Sequence, residues 1–174
     1  MTKTAEKGCL DKALRLLGRR DHSCLELSQK LKQRGFTPDV ITATIAACER
    51  MNYLDDRRFC DGYTGQLRRR GYGMMRIVQK LKEKGVAGAT IRESIDKICP
   101  EECQVEDCRR VIDKRIPAEQ TAPLDKKSRV SLYRFLYQRG FSSDVIKEAM
   151  QKKEGSPSQY RAAIRTDFKK DELR

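Results

Sequence analysis

With 174 residues, 38% hydrophobic and 36% charged side chains and no tryptophan, the chain can build only a thin core, and suits a polar, elongated helical protein better than a compact globule. Its 38 basic and 25 acidic residues leave a formal charge of +13, which favours a polyanionic or acidic partner. No apolar run approaches the ~20 residues that span a bilayer, so membrane insertion is excluded as the expectation.

The N-terminal stretch MTKTAEKGCLDKALRLLGRR has no signal-peptide core, and Arg174 follows the retention-like KDEL, so a cytoplasmic protein is expected. In chain order, a first helix is predicted over about 7–17. Ser23 and Glu26, three apart, form a capping box for a second helix. That helix stops at Gly35 in LKQRGF (31–36), and Thr37-Pro38-Asp39 opens a third, over about 38–50, with a cap, an N1 proline and an acid. Asp55 and Asp56 start the next helix, about 56–70, and Gly71 ends it. A further glycine, Gly85, follows in LKEKGV (81–86), and a helix over about 87–98 comes after it. Cys99-Pro100-Glu101-Glu102 begins another, about 101–115. A proline-bearing linker, IPAEQTAPLD (116–125), leads to LYQRGF (136–141), where Ser142 opens a helix over about 143–152. EGSPS (154–158) precedes a basic tail in which Tyr160, Ile164 and Phe168 have helical spacing.

These elements repeat. LKQRGF, LKEKGV and LYQRGF share a leucine, a basic residue before glycine and an apolar residue after it, at offsets of 50 and 55 residues. Leu27, Ile77 and Leu132 precede the shared leucine by four; Ile41, Ile91 and Ile146 follow it by ten. Helix-period apolar positions on both sides of a glycine that recurs in register predict a repeated helix–turn–helix, each preceded by its own helix. The fold class is all-α: three tandem three-helix (helix–turn–helix-like) repeats, 1–53, 54–98 and 99–153, stacked as an elongated curved rod, then the tail at 154–174. Gly35, Gly85 and Gly140 should take the left-handed C′ conformation, with Phe36, Val86 and Phe141 packing back on the last turn.

The middle repeat is the most basic for its length. Residues 55–98 carry 11 basic and 6 acidic side chains. On the helix at 56–70, Phe59, Tyr63 and Leu67 share one face. Arg57, Arg58, Arg68 and Arg69 lie opposite, with Asp61 among them, while Arg70 caps the helix end. Arg76, Lys80 and Lys84, spaced by four, form a second basic stripe. Such stripes are commonly just solvated faces. Two adjoining ones in the most basic repeat make Arg57, Arg58, Arg68, Arg69, Arg76, Lys80 and Lys84 the candidate binding surface.

Catalytic chemistry is not found. His22, the single histidine, sits in the polar turn RRDHS with no triad partners and reads as a loop residue. Gly71-Tyr72-Gly73 follows no strand and lacks a third glycine, so it is no dinucleotide fingerprint. Asp55 and Asp56 have no second carboxylate cluster at metal-ligand spacing. Seven cysteines, an odd number, read as reduced thiols; Cys99, Cys103 and Cys108 lack the close pairs of structural zinc. A non-enzymatic monomer with no cofactor and no metal is expected.

YLDDRRF, then an arginine-rich helix and GYGMMRIVQKLKEKGV, resembles the signature of RecX regulatory proteins. ALRLLGRRDHSCLELSQKLKQRGF resembles that family's first repeat and SRVSLYRFLYQRGFSSDVIKEAM its third, so the resemblance covers about residues 10–152 in order. Cys60, at a position commonly small, and Gln79, at a frequent glutamate, depart from the pattern. The resemblance implies a modulator of RecA recombinase that binds in the groove of the RecA–DNA filament and suppresses its ATPase, strand exchange and co-protease activity. It also implies weaker, charge-driven binding to single- and double-stranded DNA, and a role in recombination, DNA repair and the SOS response. The competing class is a stand-alone helix–turn–helix DNA-binding protein. Its base-reading helices would be those at 38–50, 87–98 and 143–152, which offer mostly Thr, Ala and Ile.

Overall fold

The computed structural model describes residues 2–116 and 124–153; the linker prolines and the tail lie outside them. Among the described residues there are nine helices and no strand. They are α1 (Thr2–Leu17), α2 (Cys24–Lys32), α3 (Pro38–Arg50), α4 (Asp56–Arg69), α5 (Met74–Glu83), α6 (Gly88–Ile98), α7 (Glu101–Arg115), α8 (Lys126–Gln138) and α9 (Ser143–Lys153). They fall into three sets of three, and in each set the first helix packs against the third: α1 on α3, α4 on α6, α7 on α9.

By packing, the described residues form two compact units. One holds the chain through Arg70 together with Arg76–Pro100; the other holds Gly71–Met75 and the residues from Glu101 on. In the first unit, Cys9, Ala13, Leu16, Leu27, Leu31, Ile41, Cys48 and Leu54 form one core cluster. In the second, Cys108, Ile112, Leu132, Leu136, Phe141, Ile146 and Ala149 are the heart of another. Both are mainly aliphatic with small residues between, the second adding Phe141.

The glycine turns behave as the sequence predicts. Gly35, Gly85 and Gly140 have φ of +85°, +77° and +90°. The amides of Phe36, Val86 and Phe141 donate to the carbonyls of Leu31, Leu81 and Leu136, five residues back, at 3.4, 3.2 and 3.3 Å. This is the Schellman closure, and it satisfies carbonyls that a helix end would otherwise leave open. Val86 and Phe141 are buried by it.

Helix starts follow the sequence with two differences. Ser23 caps α2, its Oγ accepting from the amide of Glu26 at 3.1 Å. The reciprocal half of the predicted box is missing, because the Glu26 carboxylate turns instead to Arg20 and Lys84. Thr37 stands at the N-cap of α3 without a side-chain hydrogen bond, so Pro38 at N1 carries that start. Asp55 caps α4 as expected. Asp56 reaches further: its Oδ1 accepts from the amide of Cys24, in the first turn of α2, at 2.8 Å.

The same register joins successive repeats. Ser23 Oγ donates to the carbonyl of Lys84 at 2.6 Å, in the turn after α5. Fifty residues on, the amide of Gly73 donates to the carbonyl of Arg139 at 2.9 Å, and that of Met75 to Gly140 at 3.0 Å, in the turn after α8. The start of a second helix thus rests on the glycine turn of the following repeat. The approach at Gly73 is so close that a Cβ there would lie 2.3 Å from the backbone of Gly140 and Phe141. Gly-Tyr-Gly is therefore a docking segment, and Tyr72 lies under the guanidinium of Arg139 at 5.7 Å.

Candidate polyanion interface

Helix α4 carries most of the predicted cations. Its buried residues are Phe59, Cys60, Thr64 and Leu67. The inner face is thus rotated from the Phe59–Tyr63–Leu67 line toward Cys60 and Thr64. Tyr63 sits at its edge, half-buried, with its ring stacked on Phe59 at 5.3 Å.

That rotation separates the four arginines. Arg57 and Arg68 turn to α6: Arg57 pairs with Glu93 at 2.6 Å, and Arg68 donates to the carbonyl of Ile98 at 2.8 Å. On the same side Ser94 Oγ donates to Asp61, and Lys97 approaches that carboxylate at 3.9 Å. Arg58 closes the loop before α4, donating to the carbonyls of Asn52 and Tyr53 at 3.3 and 3.1 Å and pairing with Asp21 at 3.4 Å. Exposed pairs of this kind contribute about 0–1 kcal/mol each, so a stronger anion can displace the partner of Arg57 at little cost. On α5, Arg76 donates to Gln79 of its own helix at 2.9 Å and Lys80 is half-buried.

Arg69 and Lys84 do come together. Both line a cleft of about 460 Å³ in the first unit, along with Arg20, Arg70, Phe59 and Tyr63. Arg69 has no hydrogen-bond or ion-pair partner among the described residues. Arg20 and Arg70 were absent from the sequence-derived set. Arg70 reads locally as a helix-end cation, and Arg20 lies in the RRDHS turn, whose return toward α4 no local pattern signals.

The cleft is organised by Glu26. Arg20 grips its carboxylate with two hydrogen bonds, at 2.9 and 2.6 Å, and Lys84 Nζ adds a third at 3.2 Å. These cations, Arg20 first, hold the Glu26 carboxyl down to about 2 against the opposing effect of burial. The Glu26 partner in turn raises the pKa of Arg20. Lys84 is thus a structural cation as well as a cleft-lining one. His22, beside this site, is a loop residue but a buried one, its Nδ1 2.9 Å from the carbonyl of Arg20. Burial pushes its pKa down and favours the neutral ring.

The cysteines are free. Cys9, Cys48, Cys60, Cys99 and Cys108 are buried, Cys24 and Cys103 half-buried. Burial pushes Cys108 up to about 12, and raises Cys24 as well, with Asp56 and Glu49 adding to it. Thiols held so firmly protonated are poor nucleophiles and poor metal ligands. Among the described residues no helix is long and apolar enough to cross a membrane.

Family models for the RecX first, second and third three-helix domains match residues 9–48, 55–95 and 102–150, consecutively and in order. The chain belongs to the RecX family. It is 34% identical over 148 residues to the regulatory protein RecX of Halorhodospira halophila, covering 83% of this chain and 88% of that one. It is 34% identical to the Chlorobaculum tepidum protein of that name, over 87% and 91% of the two chains. For the Legionella pneumophila protein the figures are 32%, 84% and 95%. The crystal structure of RecX from Lactobacillus salivarius superposes with a TM-score of 0.74 at 17% identity, over 86% of this chain and 97% of that one, and shares the fold.

Proposed function

We propose that this RecX-family regulator binds the RecA–DNA filament and restrains RecA, lowering its ATPase, strand-exchange and co-protease activities, and that it acts by occupancy and not by catalysis. The family match across all three repeats is the observation that carries this reading. The basic middle repeat supports it: a filament groove presents phosphates and acidic protein faces, and this repeat offers Arg57, Arg58, Arg68, Arg69, Arg76, Lys80 and Lys84, divided among the α6 flank, the loop before α4, α5 and the cleft. Binding to naked single- and double-stranded DNA is weaker and charge-driven, and the working form is a cytoplasmic monomer.

The test is charge reversal judged by inhibition of RecA ATPase. Lys84 is left intact, because it also holds Glu26. Arg57→Glu, Arg69→Glu and Arg76→Glu together should weaken inhibition while the helical signal and melting temperature stay near those of the parent. Unchanged inhibition would remove these residues from the interface. Absence of any inhibition by the parent chain would remove the function itself.

A further inference from the structure

The Glu26 cleft has features that a merely solvated basic face lacks. Its wall carries two stacked rings, Phe59 and Tyr63, with Tyr63 half-exposed. Arg69, free of any partner among the described residues, lines the same space, as do Arg70 and Gln66. Arg20 and Lys84 are fixed by Glu26, so the cleft does not depend on the ordering of loose lysines on binding. The volume, about 460 Å³, suits a single nucleotide and is too small for a folded domain or a duplex.

Combining a flat aromatic surface with a cation that has no partner is how proteins hold single strands: bases stack on the ring and the backbone phosphate meets the cation. An acidic peptide would use the cations and leave the rings idle. We propose that this cleft seats one nucleotide of a single strand, with its base on Tyr63 and its phosphate on Arg69, flanked by Arg70. The phosphate is assigned to Arg69 because Glu26 already holds Arg20 and Lys84, and the carboxylates of Glu26 and Asp21, which line the same cleft, would repel an anion placed against them. This deepens the filament-binding reading and rests on it, by naming the strand as what the middle repeat touches.

The test measures anisotropy of a labelled oligo-thymidine with the full chain across a salt series, beside capture on pre-formed RecA filaments. Tyr63→Leu should weaken oligonucleotide binding about tenfold, within the range for one stacked base, without changing the salt slope. Tyr63→Phe should bind like the parent. Arg69→Gln should lower the slope by about 0.7, one single-strand phosphate contact; Lys12→Gln, an exposed cation on α1, should lower it by less. Thymidine monophosphate should compete, and polyglutamate of equal charge should compete worse. Parent-like binding by a folded Tyr63→Leu, or equal losses for Arg69→Gln and Lys12→Gln, would overturn the seat. Polyglutamate displacing the strand as well as an oligonucleotide does would assign the cleft to an acidic protein and overturn it too. With filament capture intact, any of these three results sinks the seat alone. Loss of filament capture by the parent sinks the broader reading whatever the oligonucleotide does.

Discussion

Replacing Glu26 with glutamine removes one charge and keeps the shape, the helix and the amide that Ser23 caps. The pKa of Glu26 falls from its ordinary 4.5 to about 2 because Arg20 and Lys84 hold its charged form. Taken at face value, that drop sets an upper bound of roughly 3 kcal/mol on the stability the charge contributes. Arg20 and Lys84 are 53% and 35% exposed, so solvent screens much of it. About 1–2 kcal/mol at pH 7 is the expected cost, or about 2–8 °C in melting temperature for a chain of this size. The sign with pH follows from the direction of the shift. A carboxylate whose folded pKa is depressed contributes fully above its unfolded value and loses that contribution as pH falls through the folded one. The gap in melting temperature between parent and Glu26→Gln should therefore hold from pH 7 to about 5 and shrink steadily between 4.5 and 2. Every other carboxylate titrates in both proteins and cancels. A gap that stays constant down to pH 2.5, or a variant at least as stable as the parent at pH 7, would refute the view that this ion cluster ties the first two repeats together.

Alanine at the three glycines separates strain from crowding. At Gly35 a Cβ meets open space, so only its φ of +85° is penalised and about 1 kcal/mol is lost. At Gly85 it would also fall 2.6 Å from Leu25 and cost more; at Gly73 it would strike backbone, with about 1–3 kcal/mol from overpacking and amide exchange accelerated at Met75. Chemical denaturation should rank Gly35→Ala as mildest. Ser23→Ala removes both the α2 cap and the bond to the Lys84 carbonyl, leaving buried groups unpaired, and should cost about 2–3 kcal/mol by the same assay. Thiol titration of the native chain at pH 7 should find Cys24 and Cys103 slow to react and the other five silent until denaturant is added.

The glycine stops and most helix starts were legible because each is written among near neighbours in the chain, and the repeats because that local pattern recurs at offsets of 50 and 55 residues. Leucine spacing, a glycine at C′ and a capping side chain need no knowledge of the rest of the fold. What joins one repeat to the next was not legible. Glu26 looked like half of a capping box, but its carboxylate serves a lysine 58 residues away. Asp56 looked like a helix-start acid, yet it caps the neighbouring α2. The RRDHS turn looked like open loop, although His22 is buried in it. On α4, equal apolar spacing allowed either Tyr63 or the Cys60–Thr64 pair to be the inner edge. Packing against α6 chose the small residues, and so divided the arginines among the α6 flank, the loop before α4 and the cleft. The charge excess of the middle repeat was legible, but which of its cations share a shaped cleft was not.

The most direct measurement is capture of the purified chain by pre-formed RecA–DNA filaments, run beside the same DNA without RecA at equal, moderate salt. Preferential retention on filaments, persisting when salt is raised enough to clear naked DNA, is the predicted result. Equal retention on both, falling steeply and together with salt, would reduce the interaction to polyelectrolyte attraction and contradict the account.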